Sequence, residues 1–451
     1  MPSHSYAGLS QFSLLAQTYV SDYARVAPHY AGDFADPTAR AAVAEHAAGH
    51  TRDRDLLVEV LLDQNAAWGI DVATKTNIER LLDPESVAVV TGQQVGLFTG
   101  PLYTLYKTVT AIQLARKIEE ETGRPAVAVF WLEGEDHDFD EMAGTSLLRG
   151  NDLVSVRYTG HALPPEGNLG PIGRLELADQ IEEAVQLVDD TLPPSDFKPE
   201  LLDHLREAYT AGATMRDAFA RLMKSFFPNE GLVFISPDDQ RFKELLRPLF
   251  AQELAEFETS FARLQAVSDE LSEPFHAQIY PSRLNLFLLT EDGRFALDPE
   301  ADGRVRLKGT EQTHTLSELR QLLADSPEMF SANVALRPIA QDVLLPTAAY
   351  VAGPGEIAYF AQLKPLYEWA GVPMPIVYPR ASVSLVEGKV QKVMDRYGID
   401  LPALAGDPNV LFKHLVMDQM DVDLDAAFNE IGAKLHQAVN EIKPIAAGVD
   451  S

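Results

Sequence analysis

Cysteine is absent from all 451 residues, which excludes disulfides, thiolate metal sites and a cysteine nucleophile in one step. No apolar run approaches the roughly 18–20 residues that a membrane-spanning helix needs. The opening MPSHSYAGLSQF lacks the basic-then-apolar pattern of a secretory signal. Positive charge is scarce: 37 Lys and Arg stand against 67 Asp and Glu, a formal charge of −30. Such a surface repels nucleic acid and anionic lipid, so neither is expected as a partner. The expectation is a soluble protein of the cytoplasm, its charge serving solubility. An anionic substrate would then need a locally positive pocket. Neither a G-x-S-x-G elbow nor an H-E-x-x-H helix occurs, which removes the usual anchors of serine hydrolases and zinc proteases.

What is present is a globular balance, 46% hydrophobic and 23% charged, on a chain long enough for more than one structural unit. Residues 1–83 read as helical, with amphipathic stretches such as RDLLVEVLLDQN. VAVVTG (Val87–Gly92) is a short continuous apolar run, as a buried parallel strand requires. Pro101 then suits a first helical turn, and LYTLYKTVTAIQLARKIEE places apolar residues at three- and four-residue intervals. AVAVFWL (Ala126–Leu132) is the next strand, completing a β–loop–α–β unit whose loops meet at the carboxyl ends of the strands. Pro/Gly turns from Gly150 to about Pro194 suggest a connecting insert. Helical patterns follow at Pro199–Phe227 and Arg241–Phe275, split by the strand-like GLVFIS (Gly231–Ser236). LNLFLLTEDGRFAL reads as a hairpin turning at Asp292-Gly293. A third strand–loop–helix unit, LLPTAAYVA then GPGE then IAYFAQLKPLYEWAG, is closed by the strand MPIVYPR (Met374–Arg380). Leu424, Phe428, Ile431, Leu435, Ala438 and Ile442 form a short heptad seam. A lone helix of that length is marginal in water and needs a partner.

Three clusters carry candidate chemistry. In TGQQVGLFTGP (Thr91–Pro101), Gly92, Gly96 and Gly100 lie between a strand and a helix, where backbone N–H groups and the positive helix end favour an anion. Gln93 and Gln94 add neutral donors and acceptors, and Thr91 and Thr99 add hydroxyls. The motif matches neither a P-loop nor a Rossmann fingerprint, and a purely structural glycine-rich turn is an equal reading. Lys107 reads as a solvated lysine unless the pocket bends over it. In EGEDHDFDE (Glu133–Glu141), six carboxylates and His137 follow the second strand. Between Asp136 and Asp138 the protonated imidazole should be favoured, suiting proton transfer. Together with Glu135 these form the candidate catalytic set. The carboxylates could also hold Mg²⁺ through water, or merely form an acidic loop. In GPGE, Gly353 and Gly355 expose backbone donors and Glu356 is a helix-dipole partner. Arg337 and Arg380 are the best-placed cations for a carboxylate-bearing substrate, with a surface ion pair as the default for each.

Taken together, TGQQVGLFTGPLYTLYKT, VFWLEGEDHDFDEM and NVALRPIAQDVLLPTAAYVAGPGEIAYFAQLKPLYEWAGVPMPIVYPR resemble, in the same order, the hallmark segments of the BshC family, the cysteine ligases of bacillithiol biosynthesis. The resemblance implies an α/β fold with a Rossmann-like parallel-sheet core, similar to class I synthetases and nucleotidyltransferases, with connecting inserts and a C-terminal helical coiled coil that makes a homodimer. On this basis residues 1–150 and 231–380 form the core, 151–230 a connecting insert, and 381–451 a coiled-coil segment shorter than the family's. The implied reaction joins the carboxyl of cysteine to the amine of glucosaminyl-malate. A thiol substrate could form no mixed disulfide with a cysteine-free chain. TGQQ stands where a synthetase carries its first signature motif, although that motif's histidines are absent. No metal ligand set is assigned, the cofactor is open, and ATP with Mg²⁺ is the candidate activator.

The expected division of labour has Gln93, Gln94 and the glycine turns binding substrate, Arg337 or Arg380 holding the malyl carboxylates, and His137 or a neighbouring carboxylate taking the amine's proton. Two alternatives compete with it: a Mg²⁺-dependent nucleotidyl or phosphoryl transferase using the acidic loop, and a non-enzymatic coiled-coil scaffold.

Overall fold

The structure is a computed structural model that describes residues 6, 9, 11–164, 168–419, 431 and 433–434. It divides into two compact units, residues 13–383 and residues 1–12 with 384–451. In the larger unit the strands run β1 (Val87–Gln94), β2 (Ala126–Glu133), β3 (Gly144–Arg149), β4 (Asp152–Arg157) and β5 (Val233–Ile235). They continue as β6 (Leu286–Thr290), β7 (Gly293–Pro299), β8 (Arg304–Leu307), β9 (Thr313–Thr315), β10 (Phe330–Ala332), β11 (Thr347–Ala352) and β12 (Ile376–Pro379).

The central sheet has the order β12-β11-β1-β2-β5, and every pairing in it is parallel. Its strands are apolar throughout because both faces are covered. Ala88 and Val90 of β1 with Val127, Val129 and Trp131 of β2 enter one core, packed by helices Arg54–Ala67 and Gln240–Ser272. Val87 and Val89 with Ala128, Phe130 and Leu132 enter the other, under helix Tyr103–Thr122 and the insert helices. This alternation is the two-residue period of a strand, and each such branched side chain contributes roughly 1.5–3 kcal/mol on burial. At Gly92 a Cβ would lie 2.8 Å from the Trp131 carbonyl oxygen, so close pairing of β1 with β2 requires glycine there. The chain leaves β1 in one direction, through β2 and β5, and returns on its other side as β11 and β12. Strand order therefore reverses between β1 and β11, where open α/β sheets bind ligands.

A second, antiparallel sheet of order β10-β6-β7-β8-β9 is inserted between β5 and β11. The sequence indicated only its first hairpin. That hairpin turns through Glu291 and Asp292, since Thr290 pairs with Gly293, one residue earlier than expected. β8, β9 and β10 were missed because they are three or four residues long, too short to show alternation. The pattern over 199–227 divides into helices Lys198–Ala208 and Met215–Phe226, the second capped by Thr214. Gln93 and Gln94 prolong β1 rather than opening the loop.

In the smaller unit the described helices are Gly388–Tyr397, Leu401–Leu404 and Pro408–Gln419. Of the heptad seam, Ile431 is helical and exposed. Leu424, Phe428, Leu435, Ala438 and Ile442 lie outside the described residues. No helix among the described residues is long and apolar enough to cross a membrane.

Candidate active site

The reversal point between β1 and β11 holds a closed cage. Lys107, one turn into helix Tyr103–Thr122, is buried rather than solvated. It donates to the Gly92 carbonyl at 2.6 Å and lies 2.7 Å from Glu356 Oε2. Glu356 covers the start of the GPGE helix by accepting from Gly353 N–H at 2.7 Å, and its other oxygen accepts from the Tyr350 hydroxyl at 2.7 Å. Burial pulls the Lys107 ammonium below the usual lysine range against the attraction of Glu356. Burial alone would raise Glu356, but Lys107, the Gly353 amide and Tyr350 hold it below the ordinary carboxylate range. Arg337 stacks near Trp131 and Tyr350 and sits 3.6 Å from Glu133, which also accepts from the Trp131 indole at 2.9 Å. Arg380 lies over the Tyr103 ring at 4.9 Å, against Gly353, and donates to the Ala381 carbonyl and the Ser382 hydroxyl. The described residues give it no carboxylate partner. Gln93 meets the Tyr103 hydroxyl, and the ring of Tyr103 carries Arg380, which links the first glycine-rich cluster to that arginine.

Gln94 ties the first cluster to the second. Its amide donates to Asp136 at 2.7 Å and to Glu141 at 3.2 Å. The acidic loop does not present its carboxylates together. Glu135 is buried in a close ion pair with Lys243, which also donates to the Phe330 carbonyl at 2.9 Å. Asp138 caps helix Phe139–Met142, Asp140 pairs with Arg157, and Glu133 belongs to Arg337. Among the described residues, no three His, Cys, Asp or Glu side chains converge to hold a metal. His137 is 34% exposed and lies beside Asp136 at 3.6 Å. The expectation that its protonated form is favoured is overturned. Burial and then Arg294 lower the imidazole below its ordinary value, outweighing Asp136 and Asp138.

Arg294, on β7, and Lys243, on helix Gln240–Ser272, were missed in the sequence. Lys243 had a signal, since with Leu246 and Phe250 it completes an apolar helical stripe that a free lysine would not occupy. Arg294 had none, because it sits on a strand of the inserted sheet and meets His137 only through the fold.

The loop after β1 differs from its expected role. Phe98 and Thr99 adopt left-handed φ of 52° and 75°, a conformation that costs non-glycine residues of order 1 kcal/mol or more. The buried Tyr209 of the insert holds this turn by accepting from the Phe98 N–H at 2.9 Å. Gly96 N–H donates to Gln94 O at 2.8 Å and Gly100 N–H to Leu97 O at 3.0 Å. These amides are engaged within the protein, so the loop does not fit a phosphate cradle. Thr91 is buried and its hydroxyl donates to Val351 O at 3.1 Å, which makes it a tie between β1 and β11. Thr99 is buried, and Gly355 is exposed with open space around it. Beside the loop lies a cavity of about 600 Å³ lined by Gln93, Gln94, Tyr103 and Glu141 and by Phe98 and Leu205.

Residues 1–381 match the family model described as bacillithiol biosynthesis BshC, N-terminal Rossmann-like domain. The chain belongs to the BshC family. It is 49% identical over 445 residues to a protein of Salinibacter ruber, covering 98% of this chain and 81% of that protein. It is 38% identical over 404 residues to one from Chloroherpeton thalassium, with 88% and 72% covered. A relative from Chlorobaculum tepidum is 37% identical over 412 residues, with the same coverage. All three carry the name "Putative cysteine ligase BshC". The match to the family's Rossmann-like domain spans the parallel sheet and its reversal point described above.

Proposed function

We propose that this chain is a carbon–nitrogen ligase that adds cysteine to the amine of glucosaminyl-malate, the last step of bacillithiol biosynthesis. Family membership supports the reaction class. The observation that carries the site is the meeting of three sequence-remote segments at the ends of β1, β2 and β11. Gln93 and Gln94 link the Arg380–Glu356 side to the Asp136–His137 side. Arg380 and Arg337 supply the local positive charge that an acidic chain needs for a dicarboxylate, and Arg380 is the better placed because no carboxylate among the described residues pairs with it.

In the reaction the amine nitrogen bonds to the acyl carbon, the group activating that carbon leaves with its electron pair, and the amine gives up a proton. Gln93 and Gln94 orient the amide-forming groups, and half-buried His137 contacts the reacting atoms. Asp136, the partly buried neighbour of His137, is the carboxylate nearest to receive the proton. Glu135 and Asp138 support this loop through Lys243 and the helix cap. The engaged amides of the loop after β1 do not fit a triphosphate, so no step is assigned to ATP or Mg²⁺.

The same proposal places the protein in the cytoplasm. It divides the chain up to residue 380 into a core of residues 1–150 and 231–380 and an insert of 151–230. It also pairs residues 381–451 with a second copy as a coiled coil, which the exposed Val390, Val393, Phe412 and Val416 support. The test is made in cells lacking their own ligase. His137→Ala should abolish bacillithiol while glucosaminyl-malate accumulates, and normal thiol levels would overturn the assignment.

A further inference from the structure

Arg294 is buried, and each direction of its guanidinium meets a specific acceptor. Nε donates to the Ser331 hydroxyl at 2.8 Å, one terminal nitrogen donates to the Ala332 carbonyl at 2.9 Å, and the other points at His137 Nδ1 at 3.4 Å. The guanidinium plane stacks on Phe287, 3.8 Å from the ring centre, and the same ring lies 5.7 Å from the imidazole. Arginine has donors only and stays charged. A hydrogen on Nδ1 would therefore set two N–H groups against each other and leave a buried donor of Arg294 without an acceptor, which is costly. Asp136 is the competing acceptor at 3.6 Å, but the same oxygen already accepts the His137 backbone N–H at 2.7 Å.

We propose that Arg294 fixes His137 as the neutral tautomer with a bare Nδ1 and a protonated Nε2, so that the imidazole donates a hydrogen bond from Nε2 and does not take a proton from the amine. This rests on the ligase reading above and revises the role expected of the histidine. Nε2 has no protein partner among the described residues. Its N–H is free for the acyl oxygen on which negative charge grows as the amine adds to the acyl carbon. Donors aimed at such an oxygen lower the barrier because they need no reorganisation. Arg294 is then a positioning residue acting through His137. The charged groups facing the ring are Asp136 and Asp138 from its own loop and Arg294 from β7, and Glu133 and Glu135 face Arg294 in turn. Burial and Arg294 together outweigh the two aspartates, in keeping with a neutral ring.

Glutamine and alanine separate the two roles, since a glutamine amide can donate from near the Nε2 position but cannot act as a base. His137→Gln should keep ligation within about tenfold of wild type, whereas His137→Ala loses ~10²–10³-fold, the usual effect of removing one such donor. Equal loss in both variants, with both folded, would overturn the proposal. Independently, nitrogen NMR of histidine-labelled protein, with His137→Gln assigning the signal, should show Nδ1 bare and Nε2 protonated. In Arg294→Met the proton should move to Nδ1, toward Asp136. A protonated Nδ1 in the wild type would also overturn it. Failure of the wild type to form any cysteinyl amide would instead sink the ligase reading, leaving the tautomer result standing.

Discussion

The two halves of the site solve the same problem differently. At the reversal point, Lys107 is neutralised by Glu356, and both come from strand–loop–helix units of the parallel sheet itself. At the acidic loop, Glu135 is neutralised by Lys243 from a helix that packs across the sheet, and His137 is met by Arg294 from the inserted antiparallel sheet. A carboxylate just beyond β11 and a lysine one turn into the helix after β1 are brought together by the pairing of those two parallel strands. A histidine in a loop acquires its chemistry from whatever the rest of the chain packs against it. Burial and Arg294 of the inserted sheet thus lower the His137 imidazole together, while the core sheet alone supplies the Lys107–Glu356 pair.

If that contrast holds, the largest effect comes from stranding the buried Glu135. Lys243→Met should cost about 3–5 kcal/mol in denaturant unfolding, because a buried carboxylate loses its cation. Lys107→Met should cost less, because Glu356 is 22% exposed and keeps the Gly353 amide and the Tyr350 hydroxyl. Adding Glu135→Gln to the first, or Glu356→Gln to the second, should recover most of the loss. A Lys243→Met protein as stable as wild type would break the parallel, showing that the acidic loop does not depend on the long helix for its charge balance.

A smaller effect sharpens the contrast on the side of the cage. Asp342, on the same helix as Arg337, is buried and accepts from the Tyr367 hydroxyl at 2.6 Å and the Gln341 amide at 2.9 Å. Burial pushes its carboxyl up to about 6. A carboxyl raised in the fold is protonated there while the unfolded chain has already ionised. Its favourable contribution is thus present below the ordinary aspartate value near pH 4 and is lost as pH rises to about 6. Stability should fall by about 3 kcal/mol across that window, and Asp342→Asn should flatten the profile in urea unfolding. An unchanged slope in the variant would assign the titration elsewhere.

The parallel sheet was legible because its strands are continuous apolar runs ended by glycine or proline, and the Tyr103–Thr122 helix because its period is regular. Gln94, Glu356 and Arg380 could be picked out as neighbours of those strand ends, whereas Lys107, along the chain, read as solvated. The inserted sheet was not legible beyond one hairpin, since its other strands are too short for alternation to show. The direction of the His137 shift was misread because only its two aspartate neighbours are visible along the chain, whereas the burial of the ring, and then Arg294 from 157 residues away, come from the fold. The glycine-rich loop stood open between an anion cradle and a structural turn because the sequence does not reveal that Tyr209 and the loop's own carbonyls take the amides of Phe98, Gly96 and Gly100.

The most direct test is ligation with purified protein. Wild type, Arg380→Gln and His137→Ala are each given cysteine, glucosaminyl-malate and a nucleoside triphosphate, and the product is read by mass spectrometry. The account predicts a cysteinyl amide from the wild type, a raised KM for the amino sugar in Arg380→Gln, and a collapsed kcat in His137→Ala. Product formed equally well by all three proteins would contradict it.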